Sequence, residues 1–284
     1  MRVGAPGMAD DKVQLIVVAD DLGIHEAVNL GIFDAFDEGR ISGTCIMAVG
    51  SAFEHAVEGL GEHPGLDVGI HLVLDEESTG VQDDLRSISR AGQFLPRGQL
   101  LKELVLRRVD HAEVEAAWRW QFERCLSAGL SPSFVNGHGH IHMWPQLFSL
   151  TVRLAREYGI PGIRVTQGAR ESLASKKRLA LGVAMSSLAA LDHSRAAGLV
   201  CPDHFVGLSV SGNLSEAFLG QAFGGLRPGV TEVMCHPGRP SADLSGRYSH
   251  WDYHWEQELR ALVSPDLPTP VLTSFGELAH ARNS

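Results

Sequence analysis

Apolar runs and amphipathic segments alternate along nearly the whole chain. Val13–Ala19 (VQLIVVA) is a continuous β-rich run that stops at Asp20-Asp21 and Gly23. In His25–Arg40, Val28, Ile32, Ala35 and Phe36 repeat at the spacing of one helix face. The pattern then predicts a strand over Thr44–Val49, a helix over Ala52–Gly61 and a strand over Val68–Val73. Gln99–Ala128 reads as one or two helices broken near Val109-Asp110, and Phe134–Asn136 as a short strand. Gln146–Tyr158 reads as a helix with Pro145 at its first position and Gly159 as its stop. Ile163–Val165, Phe205–Ser209, Glu232–Cys235 and Val271–Leu272 supply further strands. Uninterrupted apolar strands between helices mean a buried parallel sheet, an α/β fold. No G-x-G-x-x-G follows the first strand, and titratable residues end at least four strands, which favours a barrel over an open doubly wound sheet. The expectation is one domain over residues 13–284, an irregular (β/α) barrel of seven or eight mostly parallel strands. Residues 1–12 are expected to be a disordered N-terminal segment, and the polar stretch Glu76–Arg97 an insertion over the barrel mouth.

Composition narrows the partners. The 284 residues carry 24 Lys plus Arg against 34 Asp plus Glu, a formal charge of −10. That balance argues against nucleic acid or an anionic membrane surface. Hydrophobic residues make up 44% and charged residues 20%, which excludes a disordered or fibrous chain. The four cysteines (Cys45, Cys125, Cys201, Cys235) lie far apart, so neither a disulfide framework nor a cysteine zinc knuckle is encoded. The first residues, MRVGAPGMADDK, lack the apolar core of a signal peptide, and the longest mostly apolar stretch, Leu179–Leu191, is too short to span a bilayer. A reduced, cytoplasmic setting without membrane insertion is expected.

Candidate chemistry gathers at the strand ends. Asp20 and Asp21 are adjacent carboxylates that point in different directions on an extended backbone, so one can bind a metal while the other handles a proton; the plain alternative is an acidic turn or a helix cap. His71 lies inside the strand GLDVGIHLVL, where an isolated histidine is more often a hydrogen-bonded core residue. His138, His140 and His142 in NGHGHIH would share one face if the chain stays extended, and packing alone explains them poorly. His236 ends the strand Glu232–Cys235 and precedes Pro237. One carboxylate and two imidazoles from three strand ends make an open Asp–His–His site suited to a divalent metal.

At these residues the sequence resembles the YdjC-like carbohydrate deacetylases, which include chitooligosaccharide deacetylases and a hopanoid-biosynthesis-associated branch. The strings that carry the resemblance are VVADDLGIHEAVNLGI, GRISGTCIMAVGSAFEHAV, GLDVGIHLVL, FVNGHGHIHMWPQLF and EVMCHPG, while residues 167–230 contribute little. The resemblance implies an irregular (β/α) barrel with one divalent metal at the strand C-termini, zinc as the first expectation and magnesium as the second. It implies Asp20 as catalytic base, Asp21, His71 and His138 as metal ligands, His236 as a second proton carrier, and Arg164 as the residue that orients the base. Two departures stand out: Leu22 replaces a frequent Phe, and Asn136 replaces a frequent Asp, which takes a charge from the edge of the site.

The expected activity is metal-dependent removal of an N-acetyl group from an N-acetylated amino sugar, with release of acetate. Asn136 and Trp144 are expected near the substrate, and Trp251, Tyr253 and Trp255 are further stacking candidates, although such aromatics are usually core. A homodimer is compatible with the sequence. The alternatives are hydrolysis of another bond, such as a phosphoester, at the same metal, a 2-His-1-carboxylate iron oxygenase, and a non-catalytic sugar-binding protein of the same fold.

Overall fold

A computed structural model of the chain describes residues 12–81, 85–166 and 196–284. The expectations for most of the N-terminal segment and for Leu179–Leu191 fall outside these residues. Nine strands are described: β1 (Val13–Leu22), β2 (Gly43–Ile46), β3 (Asp67–Leu72), β4 (Ser89–Arg90), β5 (Gln93–Phe94), β6 (Phe134–Gly137), β7 (Gly162–Ile163), β8 (His204–Val206) and β9 (Gly229–Cys235). Seven of them form one all-parallel sheet in the order β7-β6-β3-β2-β1-β9-β8, and β4 and β5 make a separate antiparallel hairpin. The sheet curls into a barrel. Val200 pairs with Gly162 beside β7, and four residues later β8 pairs with β9, so the segment from Val200 to Val206 touches both edges.

The described helices are α1 (Glu26–Asp37), α2 (Phe53–Glu62), α3 (Arg97–Val105), α4 (His111–Ser127), α5 (Phe148–Glu157), α6 (Glu216–Gly224), α7 (Ala242–Arg247), α8 (Trp255–Leu262) and α9 (Phe275–Asn283). The start signals act as local chemistry dictates. His25 accepts from the Ala27 N–H through Nδ1 (3.0 Å) and caps α1, and Asp110 caps α4 through the Ala112 N–H, which explains the break seen near Val109-Asp110. Two sequence expectations shift. Helix α5 starts at Phe148, so Pro145 lies before it, and Val271–Leu272 supplies a single parallel bridge from Leu272 to Leu15 in place of a strand. Among the described residues no helix is long and apolar enough to cross a membrane.

Strand periodicity divides the protein into two cores. Leu15, Val17 and Ala19 face outward and join the large core under the helices. Ile16 and Val18 face inward with Cys45, Phe134 and Val200, above Phe275 and Ala279 of α9. Phe275 stacks on Phe134 with ring centroids 4.3 Å apart. Two residues further along each strand, the inward positions turn polar: Asp20 follows Val18, His71 follows Gly69, Asn136 follows Phe134 and Glu232 follows Val230. The barrel interior therefore changes from apolar to charged toward the C-terminal ends of its strands, where this architecture places its chemistry.

Helix α1 locks onto the segment that follows β9. A Cβ built on Gly31 would come within 2.4 Å of the Gly238 backbone, so only hydrogen fits there. Ala favours a helix interior by about 1 kcal/mol over Gly, yet overpacking a rigid contact costs roughly 1–3 kcal/mol. Gly31→Ala is expected to lower the thermal unfolding midpoint, with the clash outweighing the propensity; a raised midpoint would show that the contact yields.

Candidate metal and proton-transfer site

The two adjacent aspartates are separated by one backbone conformation. Asp21 has φ +70°, a left-handed value that aspartate tolerates better than most residues, and the β1–β2 register shifts between Ala19 and Leu22. This bulge leaves Asp20 pointing into the barrel and swings Asp21 toward β3 and β6. Both carboxylates are buried.

Asp21 meets two histidines. Its Oδ1 lies 3.2 Å from His71 Nε2 and 2.9 Å from His138 Nδ1. Burial alone would raise the Asp21 carboxyl, but His138 and His71 more than offset it and hold it well below the usual carboxylate range. His71 Nδ1 donates to Asn136 Oδ1 (2.7 Å), and a neutral ring with its proton there presents a lone pair at Nε2. That lone pair faces a carboxylate oxygen, an arrangement that calls for a proton or a cation between them. Asp21 Oδ2 and His138 Nε2 are buried and have no hydrogen-bond partner. These unspent acceptors, one carboxylate and two imidazoles within 4.8 Å of one another, fit a divalent ion such as zinc.

Asp20, Cys45 and His71 form a second close group. Most of its lone pairs are already engaged, although Asp20 Oδ2 keeps one beside the bond from Arg164 Nη1. Arg164 Nη1 and Nη2 donate to Asp20 Oδ2 (2.5 Å) and Oδ1 (2.8 Å), the Cys45 thiol donates to Oδ1 (3.1 Å), and Asn136 Nδ2 donates to the same oxygen (3.3 Å). Burial and the Asp20 charge push the Cys45 thiol well above its ordinary range, so it stays protonated. The Asp21 group is therefore the better cation site. Asp20 itself remains ionised: burial opposes this, but Arg164 and His71 pull its carboxyl well down.

Arg164 is fully buried just beyond β7 and serves two anions, because its Nε also donates to Glu232 Oε1 (2.6 Å). Burial raises the Glu232 carboxyl to about 7, with Arg164 opposing the shift. The guanidinium also lies 5.3 Å from the Phe205 ring of β8. One residue thus ties the two far sides of the sheet to Asp20.

The histidines after β6 separate. The chain leaves extended geometry at Gly137 and enters a 3-10 turn over His138–Met143, with Gly139 and His140 both left-handed (φ +54° and +58°). The expected common face does not form. His138 reaches Asp21, His140 meets Thr166 Oγ1 (3.1 Å), and His142 Nε2 donates to the Arg164 carbonyl (3.0 Å). Burial keeps His142 neutral by lowering it to about 3. Gly139 packs against the Arg97 guanidinium, and its left-handed backbone favours glycine.

His236 sits at the end of β9 under the Tyr253 ring, with centroids 4.8 Å apart. Its backbone N–H donates to Glu258 Oε2 (2.5 Å), and its Nδ1 lies 3.7 Å from that oxygen, a Coulombic contact rather than a hydrogen bond. Burial would lower the imidazole, but Glu258 raises it to about 9. Trp251 lies over His138 at 4.7 Å, whereas Trp144 is half-buried against the large outer core. Sequence reasoning missed Cys45, Glu232 and Glu258. Glu232 did leave a signal, since it shares strand parity with His236 inside an apolar run.

Comparison with known proteins places the chain in a family. The family described as YdjC-like protein matches residues 14–271, and the chain belongs to that family. A chitooligosaccharide deacetylase of Serratia marcescens is 32% identical over 264 residues, covering 90% of this chain and 93% of that protein. A carbohydrate deacetylase of Brevibacillus brevis is 38% identical over 149 residues, and that match spans only 58% of its length. A solved structure from Enterococcus faecalis V583, named for cellobiose-phosphate cleavage, superposes with a TM-score of 0.71 at 21% identity over 94% of this chain and 98% of that one, which shows the shared fold.

Removing Arg164 would strand two buried carboxylates. Arg164→Met is expected to cost about 3–5 kcal/mol of folding stability, read as a lower urea midpoint. A loss below about 1 kcal/mol, the range of a surface ion pair, would show that the pair carries no structural weight.

Proposed function

We propose that this protein is a metal-dependent deacetylase that removes the acetyl group from an N-acetylated amino sugar. The observation that carries the reading is the division of labour between neighbouring carboxylates: Asp21 faces two imidazoles with unspent lone pairs, and Asp20 is anchored through both oxygens by Arg164. The names of the Serratia and Brevibacillus relatives support deacetylation of a carbohydrate.

Asp21, His71 and His138 would hold the ion. A divalent ion there supplies Lewis acidity, which lowers the pKa of water and polarises an acyl oxygen. Asp20 takes the proton from the attacking water, a role open to it because the carboxylate is ionised throughout the neutral range. Arg164 holds both Asp20 oxygens and fixes the direction of that carboxylate. His71 is kept in one tautomer by Asn136, so the amide at that position does for the imidazole what a carboxylate could also do. His236 is protonated near neutral pH and donates to the departing sugar amine, which is a poor leaving group without a proton. Acetate and the free amino sugar result. We also propose Trp251, over His138, as the aromatic surface nearest the reacting ring.

Acetate release from N-acetylglucosamine oligomers, measured with and without chelator, tests the reading; no release from any N-acetylated sugar by metal-loaded protein removes it. His71→Ala and His138→Ala are expected to lose stoichiometric metal and all measurable turnover, because each removes one of three ligands. Elemental analysis decides this. Full metal content in the His71 variant would refute the ligand set.

The alkaline limb of kcat/KM is expected near pH 9, where the acid form of His236 is lost. Glu258→Gln removes the anion that stabilises that form, so the limb should move toward neutral pH while the rate at pH 6 is largely kept. A limb that stays in place would remove His236 from the acid role.

A further inference from the structure

One ion pair closes the base of the insertion that follows β3. Asp75 stands immediately before Glu76–Arg97, and Arg97 is both the last residue of that stretch and the first of α3. Arg97 Nε donates to Asp75 Oδ2 (2.5 Å); the carboxylate is buried and the arginine side chain is 37% exposed. The pair borders the candidate site. A Cβ built on Gly139 would come within 2.7 Å of the Arg97 Cζ, so the guanidinium lies against the residue that follows His138. Arg97 is also in Coulombic range of Glu76 and Tyr253. Glu76 accepts from Trp251, which stands over His138, and Tyr253 covers His236.

A clasp whose only task was to close the insertion would pair its two forks fully, because arginine and carboxylate match best through two parallel bonds. Here the pair makes one. Arg97 Nη2 and Asp75 Oδ1, each two covalent bonds from the bonded atom, are buried and have no hydrogen-bond partner. Leaving a buried donor and a buried acceptor unmade is costly. Asp21 Oδ2, His138 Nε2 and His236 Nδ1 share the same condition, and these are the atoms proposed to meet the metal and the departing amine.

The two atoms select the group they would meet. One is a donor and its neighbour an acceptor, so the partner must accept and donate at a single atom, as a hydroxyl does. An anion would face the carboxylates of Asp75 and Glu76, and an ammonium offers no acceptor to Nη2. We infer that Arg97 and Asp75 together hold one hydroxyl of the sugar that carries the acetamide, with Nη2 donating to its oxygen and Oδ1 accepting its hydrogen. The inference rests on the deacetylase reading and adds to it the residues that choose between sugars differing in one hydroxyl.

The test measures N-acetylglucosamine and the derivatives that each lack one of its hydroxyls, on zinc-loaded full-length protein: wild type, Arg97→Lys and Asp75→Asn. Lysine keeps a cation beside Asp75 but loses the second fork of the guanidinium. Asparagine keeps the shape and an acceptor for Nε but loses the charge. Where acetate is released, kcat/KM is read; where none is released, binding is read by calorimetry. Wild type is expected to lose roughly 10–100-fold on one deoxy derivative, the size of a hydrogen bond to a charged group. Each variant is expected to lose about tenfold or more on N-acetylglucosamine itself and little further on that derivative, so the ratio of the two sugars approaches one. A pair that only clasps the insertion would slow every sugar by the same factor and keep the wild-type ratio. That result overturns the inference, as does a wild type that treats all the sugars alike. The thermal unfolding midpoint checks that the variants fold, and if Asp75→Asn does not, the Arg97→Lys ratio decides alone. Acetate released equally from all the sugars would leave the reaction standing and remove the contact. Binding that depends on one hydroxyl without acetate release would do the reverse.

Discussion

The fully buried guanidinium of Arg164 is the constraint around which the barrel mouth is organised. Removing a cation and two carboxylates from water is costly, and the cost is recovered only if every donor finds its acceptor. Here Nη1 and Nη2 go to Asp20 and Nε to Glu232, which leaves the guanidinium no freedom to turn. Because Arg164 follows β7, Asp20 lies on β1 and Glu232 on β9, the ion network spans the sheet from one side to the other. Closure of the barrel and alignment of the proposed base are therefore one requirement. The His142 imidazole extends it by donating to the Arg164 carbonyl, so a histidine from the same stretch as the proposed ligand His138 also holds the arginine's backbone.

Around that anchor, the distinction between Asp20 and Asp21 comes from the backbone rather than from side-chain identity. Two aspartates in a regular strand would face opposite sides of the sheet, one inside the barrel and one among the helices. The left-handed turn at Asp21 and the accompanying register shift bring the second carboxylate back over the strand ends. The same device recurs in the partner stretch, where Gly139 and His140 break the extended chain and leave His138 alone facing Asp21.

These backbone departures mark the limit of what the sequence made legible. Strand–helix alternation located the parallel strands of the sheet, because burial on both faces leaves a continuous apolar signature that needs no tertiary information. The pairing of Asp20-Asp21 with His71 and His138 was also legible, through strand ends and family resemblance. The common face expected for His138, His140 and His142 assumed a period of two that the glycines abolish. Trp144 was placed near the substrate because sugar rings stack on aromatics, whereas it closes the 3-10 turn and packs, half-buried, against the outer core. Cys45 gave no signal, since a buried cysteine in an apolar strand reads as a small hydrophobe. Its contact with Asp20 exists only because β1 and β2 are neighbours.

Asn136 shows how the charge arithmetic closes. Its amide nitrogen lies 3.3 Å from Asp20 and its carbonyl 2.7 Å from His71 Nδ1, so the side chain joins the proposed base to a proposed ligand. A carboxylate at this position would also accept from His71, but it would set a third anion beside an arginine already divided between Asp20 and Glu232. In a buried site that repulsion is poorly screened. The amide avoids it by turning a donor toward Asp20 and an acceptor toward the imidazole, so one neutral side chain serves both neighbours. With Glu232 supplying the second carboxylate from the opposite strand, the neutral side chain at 136 is the choice that lets one guanidinium suffice.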